Sequence, residues 1–554
     1  MSLISIPSGD PLVNFEALRA LVVDDFPGMR TALKMTLSNF GLTRIDLCAS
    51  SNEALFRVQN NQYDLILCDF NLGEGRDGQQ LLEELRHRSL IRLRTVFMMA
   101  TAESIYEKVV ATAELAPDDY LIKPFSAELM RNRLGGILRR KQAFSLAYEC
   151  FEEHDLEGAI ESCDALIRDT PRYAVDALRF KGECLNALGR FEEAEALYRQ
   201  VIEMRAIPWA RMGLAMALHQ QQKDAEAESL LQDALTQSPE MVAAYDLLAD
   251  VRMARKDAAG AQAALLAGVG ISARTVRRQQ RLGEVALDNG DLAAAQTAFS
   301  NAIEKGRHSV FITPQDYGQL GRVQVAQGNL EGAMETLRKG GLALQSNPDG
   351  KLVAALVQCL VQTRAGRAAE AGRSLDEVAR LRAGGAQMAA PLLLELAGAC
   401  LSNGRHEEAD GLLTEVARNA HDSDALLTKA RSLYEQAGRA EAGEKLLSAA
   451  TSNVRALNND GVLLARKGEY AAAAERMLEA CRLASANPRV LMNGVWVLLK
   501  CVEQAGPDQD KLDQARQLLA AVETQSPRHP RVAGLRACLR EIELRNGARR
   551  RGTR

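Results

Sequence analysis

Apolar residues along the first quarter of the chain fall in short, unalternated runs, and between those runs they recur every three or four positions. The runs at 18–23, 44–48, 64–68, 95–99 and 120–122 predict strands, and the periodic stretches at 30–39, 53–59, 79–88 and 104–113 predict helices between them. Ser126 is placed to cap a further helix reaching about Arg140, with Glu128 in its first turn. Strands that lack apolar–polar alternation are covered on both faces, and strands separated by helices pair in parallel. The expected fold is an α/β doubly wound, five-stranded parallel sheet.

From about Phe144 the strand signal ends and a single helical pattern repeats. Segments 187–202 (ALGRFEEAEALYRQVI), 288–303 (DNGDLAAAQTAFSNAI) and 466–481 (RKGEYAAAAERMLEAC) align on one small residue. That residue recurs as Ala159, Ala194, Ala227, Ala261, Ala295, Ala333, Ala371, Ala409, Gly443, Ala473 and Ala515, at intervals of 30 to 42 residues. A glycine turn precedes it in many units (Gly189, Gly290, Gly328, Gly366, Gly404, Gly438, Gly468). A large residue follows four positions later, among them Tyr198, Phe299 and Met477, and a late proline survives at Pro171, Pro239 and Pro527. Several units depart from the pattern, among them that of Ala261, which lacks the turn glycine, and one in which Gly443 stands in place of alanine. The period and the small, turn and large positions resemble the tetratricopeptide repeat. That resemblance implies an all-α solenoid of about eleven units over 144–540, in which small side chains let antiparallel helices touch.

Composition narrows the function. With 47% hydrophobic and 25% charged residues the chain has the make-up of a folded protein, and 554 residues exceed a single core. Sixty-eight basic against 72 acidic residues leave a formal charge of −4, which argues against wholesale attraction to nucleic acid or membrane. Ten cysteines and seven histidines are dispersed without metal or redox spacing, which points to a reducing compartment. The start of the chain lacks a basic leader, and no apolar run approaches the roughly 18–20 residues of a membrane span. The expectation is a cytoplasmic protein.

Four motifs fall where predicted strands end: VVDD (22–25), LILCDF (65–70), FMMATAE (97–103) and YLIKPF (120–125). In an open parallel sheet ligands bind at the carboxyl ends of strands, near the switch in strand order. Asp24, Asp25 and Asp69 would converge there with Thr101 and Lys123, and such a carboxylate cluster suits a hard cation such as Mg²⁺. Taken together, these motifs over about 17–140 resemble the receiver domain of bacterial two-component response regulators, which is flavodoxin-like. The resemblance implies that Asp69 accepts a phosphoryl group from a sensor histidine kinase or phosphotransfer protein. Asp24, Asp25, Asp69 and the Asn71 backbone carbonyl would hold Mg²⁺. Lys123 and Thr101 would meet the phosphoryl oxygens, Tyr120 would be the aromatic switch, and the Lys123–Pro124 bond would be cis. The glycine-containing loop after Asp69 reads as turn chemistry, with Asp77-Gly78 opening the next helix.

The domain plan is an N-terminal extension (1–16), the receiver (17–140), the repeat array (144–540) and a basic tail (541–554). The array carries no paired-acid, Ser-His or metal signature, so the chain is expected to be a signalling adaptor and not an enzyme. Its output would be protein–protein interaction through the repeats, with an unknown protein partner or a homodimer. The alternative is a transcription or RNA regulator using the tail arginines Arg545, Arg549, Arg550, Arg551 and Arg554. Between receiver and array there is no Gly/Ser-rich linker, so the junction should be helical or nearly so, with Gly135-Gly136 the competing hinge.

Overall fold

The structure is a computed structural model in which residues 14–102, 117–204, 207–272, 275–525, 531–532, 534–536 and 538–543 are described. The helix expected at 104–113, most of the N-terminal extension, Pro527 and the tail arginines lie outside the described residues.

Five strands form one parallel sheet in the order β2-β1-β3-β4-β5: β1 (Arg19–Val23), β2 (Arg44–Cys48), β3 (Leu65–Asp69), β4 (Val96–Ala102) and β5 (Asp119–Lys123). Helices α1 (Pro27–Asn39), α2 (Ser51–Asn60) and α3 (Gly78–His87) follow the first three strands, and α4 (Ala127–Ala143) follows β5. The runs of β1 and β3 are buried on both faces, with successive residues serving opposite layers, whereas the edge strand β2 is buried only at Cys48. Leu21, Val23, Ile66, Cys68, Phe97 and Met99 pack with Ala54, Val58, Leu81 and Leu85 of α2 and α3. Ala20, Val22, Leu65, Leu67, Val96 and Met98 pack with Leu33 and Leu37 of α1 and Met130 and Leu134 of α4.

Helix α4 runs unbroken through Gly135-Gly136, and a single residue, Phe144, separates it from α5 (Ser145–Glu152). Phe144 is 1% exposed and packs against Tyr148, Tyr173 and Phe180. Lys141, near the end of α4, is buried and ion-paired with Asp118 at 2.8 Å, and it donates to the carbonyls of Leu93 and Thr95. Burial presses its pKa below that of an ordinary lysine, against the pull of Asp118.

The chain divides into two compact units, Met1–Asn186 with Arg190–Leu282 and Glu304–Ile312, and Ala187–Gly189 with Gly283–Ile303 and Thr313–Arg554. The first holds the sheet and helix pairs such as Ala174–Leu188 with Phe191–Met204 and Pro208–Gln220 with Asp224–Gln237. The second is helical throughout its described residues, with pairs such as Pro348–Arg364 with Ala368–Ala383. Each recurring alanine, Ala159 through Ala515, is completely buried early in the second helix of its pair.

The departures from the repeat pattern at Ala261 and Gly443 have structural reasons. The left-handed turn position, glycine at Gly189 and Gly290, is held by His154, Gln222 and Lys256 at φ of 64°, 65° and 63° in three units. At Gly443 a methyl group would lie 2.3 Å from Cγ of Tyr434, a fully buried ring whose hydroxyl donates to Asp410 at 2.9 Å. The aromatic ring has taken the volume that the alanine fills elsewhere.

Candidate functional site

The strand order reverses direction between β1 and β3, and the conspicuous acids sit at the carboxyl ends of those two strands. Asp24 follows β1 and is 1% exposed. Its Oδ1 accepts from the Phe26 amide at 2.9 Å, its carbonyl accepts from Arg30 at 2.6 Å, and its own amide donates to the Cys48 carbonyl at 3.2 Å. These bonds fix Asp24 before α1 begins, while Asp25 faces solvent. Asp69 ends β3, half sunk in the same pocket. One carboxylate oxygen from each of Asp24, Asp25 and Asp69 can be chosen so that all three lie within 4.8 Å of one another.

Lys123 reaches across from the end of β5. Its Nζ lies 2.9 Å from Oδ2 of Asp69 and 3.2 Å from Oδ2 of Asp24, and the peptide bond to Pro124 is cis. Burial pushes the Lys123 pKa down, but the two carboxylates outweigh it and hold the ammonium above its ordinary value. At Asp69 burial raises the carboxyl pKa and the Asp24 charge adds to it, while Lys123 opposes; the balance stays above the usual carboxylate range. Three acids against one lysine thus leave a surplus of negative charge in a half-dry cleft. Oxygen-only donors in that state fit a hard divalent cation, and Mg²⁺ takes one or two carboxylates and completes its shell with carbonyls and water. Cys68, beside Asp69, is no competing nucleophile, because burial pushes its thiol well up.

Thr101 lies on β4, 1% exposed, in register with Ile122 of β5. Tyr120 is 8% exposed, packed with Phe97 and Met99 beneath the sheet. Asn71 opens the exposed loop between β3 and α3.

That loop is tied down at both ends. Asp77 caps α3 through a reciprocal pair with Gln80, and the Gly78 amide donates to the Phe70 carbonyl at 2.8 Å. A methyl group at Gly78 would sit 2.3 Å from the carbonyl oxygen of Asp69, so only glycine lets α3 start against the acceptor's own peptide. Sequence reasoning missed the group that holds the middle of the loop. Glu84 of α3 is completely buried and paired with Arg76 at 2.7 Å and Arg88 at 3.0 Å, and Arg76 also donates to Asn52 at 2.6 Å. The available signal was an acid on the apolar stripe of α3, one residue before Leu85.

Sheet order, acids and lysine define a receiver followed by helical repeats, and comparison with known proteins agrees. Residues 20–135 match the response regulator receiver domain family, and residues 144–208 and 187–242 match the tetratricopeptide repeat. Among relatives, the chain is 28% identical over 123 residues to the chemotaxis protein CheY of Pseudomonas aeruginosa, covering 22% of this chain and 98% of that protein. It is equally 28% identical over 123 residues to chemotaxis protein CheY-3 of Vibrio cholerae, covering 22% of this chain and 93% of that one. Among solved structures, the chemotaxis response regulator CheY4 of Vibrio cholerae aligns at 27% identity with a TM-score of 0.20, over 22% of this chain and 98% of the other. The C-terminal part of a TPR repeat-containing protein from Cytophaga hutchinsonii aligns at 15% identity and a TM-score of 0.34, over 43% and 95% of the two chains. Among the described residues no helix is long and apolar enough to cross a membrane.

Proposed function

We propose that this chain is a two-component response regulator whose Asp69 accepts a phosphoryl group from a histidine kinase or phosphotransfer protein and whose repeats pass the signal to a protein partner in the cytoplasm. The observation that carries this reading is Lys123, whose ammonium touches both Asp69 and Asp24 at the switch point of the sheet. In the transfer, an Asp69 carboxylate oxygen bonds to phosphorus while the phosphorus–nitrogen bond of the donor breaks, and the imidazole leaves with that electron pair. Such a reaction needs alignment and charge neutralisation more than covalent help. Lys123 holds the carboxylate in place and stands ready to pair with phosphoryl oxygens. Asp24, Asp25, Asp69 and the Asn71 carbonyl would hold Mg²⁺, which when bound neutralises the developing charge. Thr101 would donate its hydroxyl to a phosphoryl oxygen, and Tyr120, packed beneath, would follow it as the switch.

The described repeats supply helical surface, which supports reading the chain as an adaptor. The test is incubation of the chain with Mg²⁺ and a small-molecule phosphodonor, followed by a phosphate-affinity gel. Wild type should shift and Asp69→Asn should not. Label on the Asp69→Asn variant would place the acceptor elsewhere.

A further inference from the structure

A segment from Lys305 to Ile312 belongs to the same compact unit as the sheet although it lies about 180 residues beyond β5 in sequence. It meets the receiver along the β3–α3 loop and α3. Arg76 donates to the His308 carbonyl at 3.2 Å, Gln80 donates to the Lys305 carbonyl at 3.3 Å, and His87 sets its ring edge-on to Phe311 at 5.1 Å. Phe311 is gripped from the array as well: Arg277 lies over its ring at 3.8 Å, and Gln280 donates to its carbonyl at 2.9 Å.

We propose that 305–312 is an internal latch on the receiver, seated when Asp69 is a free carboxylate and released when it carries a phosphoryl group; the inference rests on the acceptor reading of Asp69. The loop from Asn71 to Asp77 starts at Asp69 and closes back on it at Gly78. In between it crosses the acid pocket, and a methyl group at Gly73 would touch Asp25 at 3.4 Å. A tetrahedral phosphoryl group and its counter-cation add volume under a loop whose two ends cannot give. The part of the loop between those ends is what moves, and it carries Arg76, just before the cap and tethered by its side chain to Glu84. The Arg76 bond to His308 already stands at the long limit for N–H···O contacts, so a displacement of about 0.5 Å breaks it and leaves the segment held on this side by the equally long bond from Gln80, fixed in the cap of α3, to Lys305. The segment joins the helices Leu292–Lys305 and Pro314–Ala326, so its release reaches the array along the chain itself.

Coupling of this kind is reciprocal: whatever phosphorylation does to the latch, removing the latch does to Asp69. The experiment is hydrogen–deuterium exchange on the full chain with Mg²⁺, with and without beryllofluoride as phosphoryl mimic, and mimic binding is read independently by fluorine NMR. Exchange over 305–312 should accelerate about fivefold or more when the mimic binds. Phe311→Ala and His87→Ala, which remove one ring each from the contact, should show fast exchange without mimic and bind it more tightly by a similar factor. Bound mimic with unchanged exchange in 305–312 overturns the latch and leaves the acceptor reading standing. Wild-type exchange and mimic affinity in both variants also overturn it. A chain that binds no mimic overturns the acceptor reading and the latch together.

Discussion

Arg76→Met tests how firmly the loop after Asp69 is held. Its partner Glu84 has no exposed side-chain surface, whereas Arg76 is 23% and Arg88 48% exposed. Removing one partner of a fully buried ion pair costs about 3–5 kcal/mol, mostly because the other charge is left without compensation. Here Arg88 stays as a second cation and Arg76 is partly solvated, so the expected loss falls to about 2–3 kcal/mol. A second variant, Arg76→Met with Glu84→Met, exchanges the pair for apolar side chains and should recover most of that loss. A chain of several units does not unfold in one step, so stability is best read locally, from native-state hydrogen exchange of β3 and α3 peptides in the full protein. Arg76→Met should speed their exchange by about 30- to 150-fold, the equivalent of that free energy. If the double variant exchanges as fast as the single one, the buried carboxylate is not the source of the loss and the reasoning fails.

Three further outcomes are expected. Gly182→Ala sets a methyl group 2.5 Å from the hydroxyl oxygen of Tyr198, whose ring is 2% exposed and cannot swing away; overpacking of about 1–3 kcal/mol exceeds the ~1 kcal/mol of helix propensity gained, and adding Tyr198→Leu should relieve it in a thermal melt. Mg²⁺ at about 100 times its dissociation constant should stabilise the receiver by about 2.7 kcal/mol, and an equal gain in Asp25→Ala would remove Asp25 from the ligand set. Because the Asp69 carboxyl titrates above the usual carboxylate range, it regains its proton early as pH falls. In the metal-free chain the carboxyl-carbon NMR signal of Asp69 should therefore shift at a higher pH than an ordinary aspartate's, and a midpoint at or below the ordinary aspartate value would contradict this.

The strands and the acids at their ends were legible because burial on both faces leaves an unalternated apolar run, and a charged residue directly after such a run has only the strand's end to occupy. β4 was the exception. Its apolar run stops at Met99, yet the ladder to β5 continues through Thr101 and Ala102, opposite Ile122 and Lys123, because the neighbouring strand and not hydrophobicity sets where pairing ends. Helix α1 begins earlier than its periodicity, at Pro27, where a missing amide hydrogen costs nothing. The turns at His154, Gln222 and Lys256 escaped the glycine pattern, since surrounding helix packing imposes the left-handed backbone there. Arg76–Glu84 left only an acid on the apolar stripe of α3, and Lys141–Asp118 left no periodic trace, because that pair exists only once α4 has packed on the sheet.

The single-residue junction at Phe144 makes α4 a mechanical shaft. Its 17 residues span about 25 Å and are fastened to the receiver along their length, by Met130 and Leu134 on the sheet and by Lys141 on Asp118, so the helix can move only with that domain. A shaft also transmits phase. One residue inserted at Gly135-Gly136 would turn everything beyond it by about 100°, whereas seven would complete nearly two turns and restore the facing at a distance about 10 Å greater. The length of this helix is thus set in whole turns, as gear teeth are in number, and a change of single residues is the one it tolerates least.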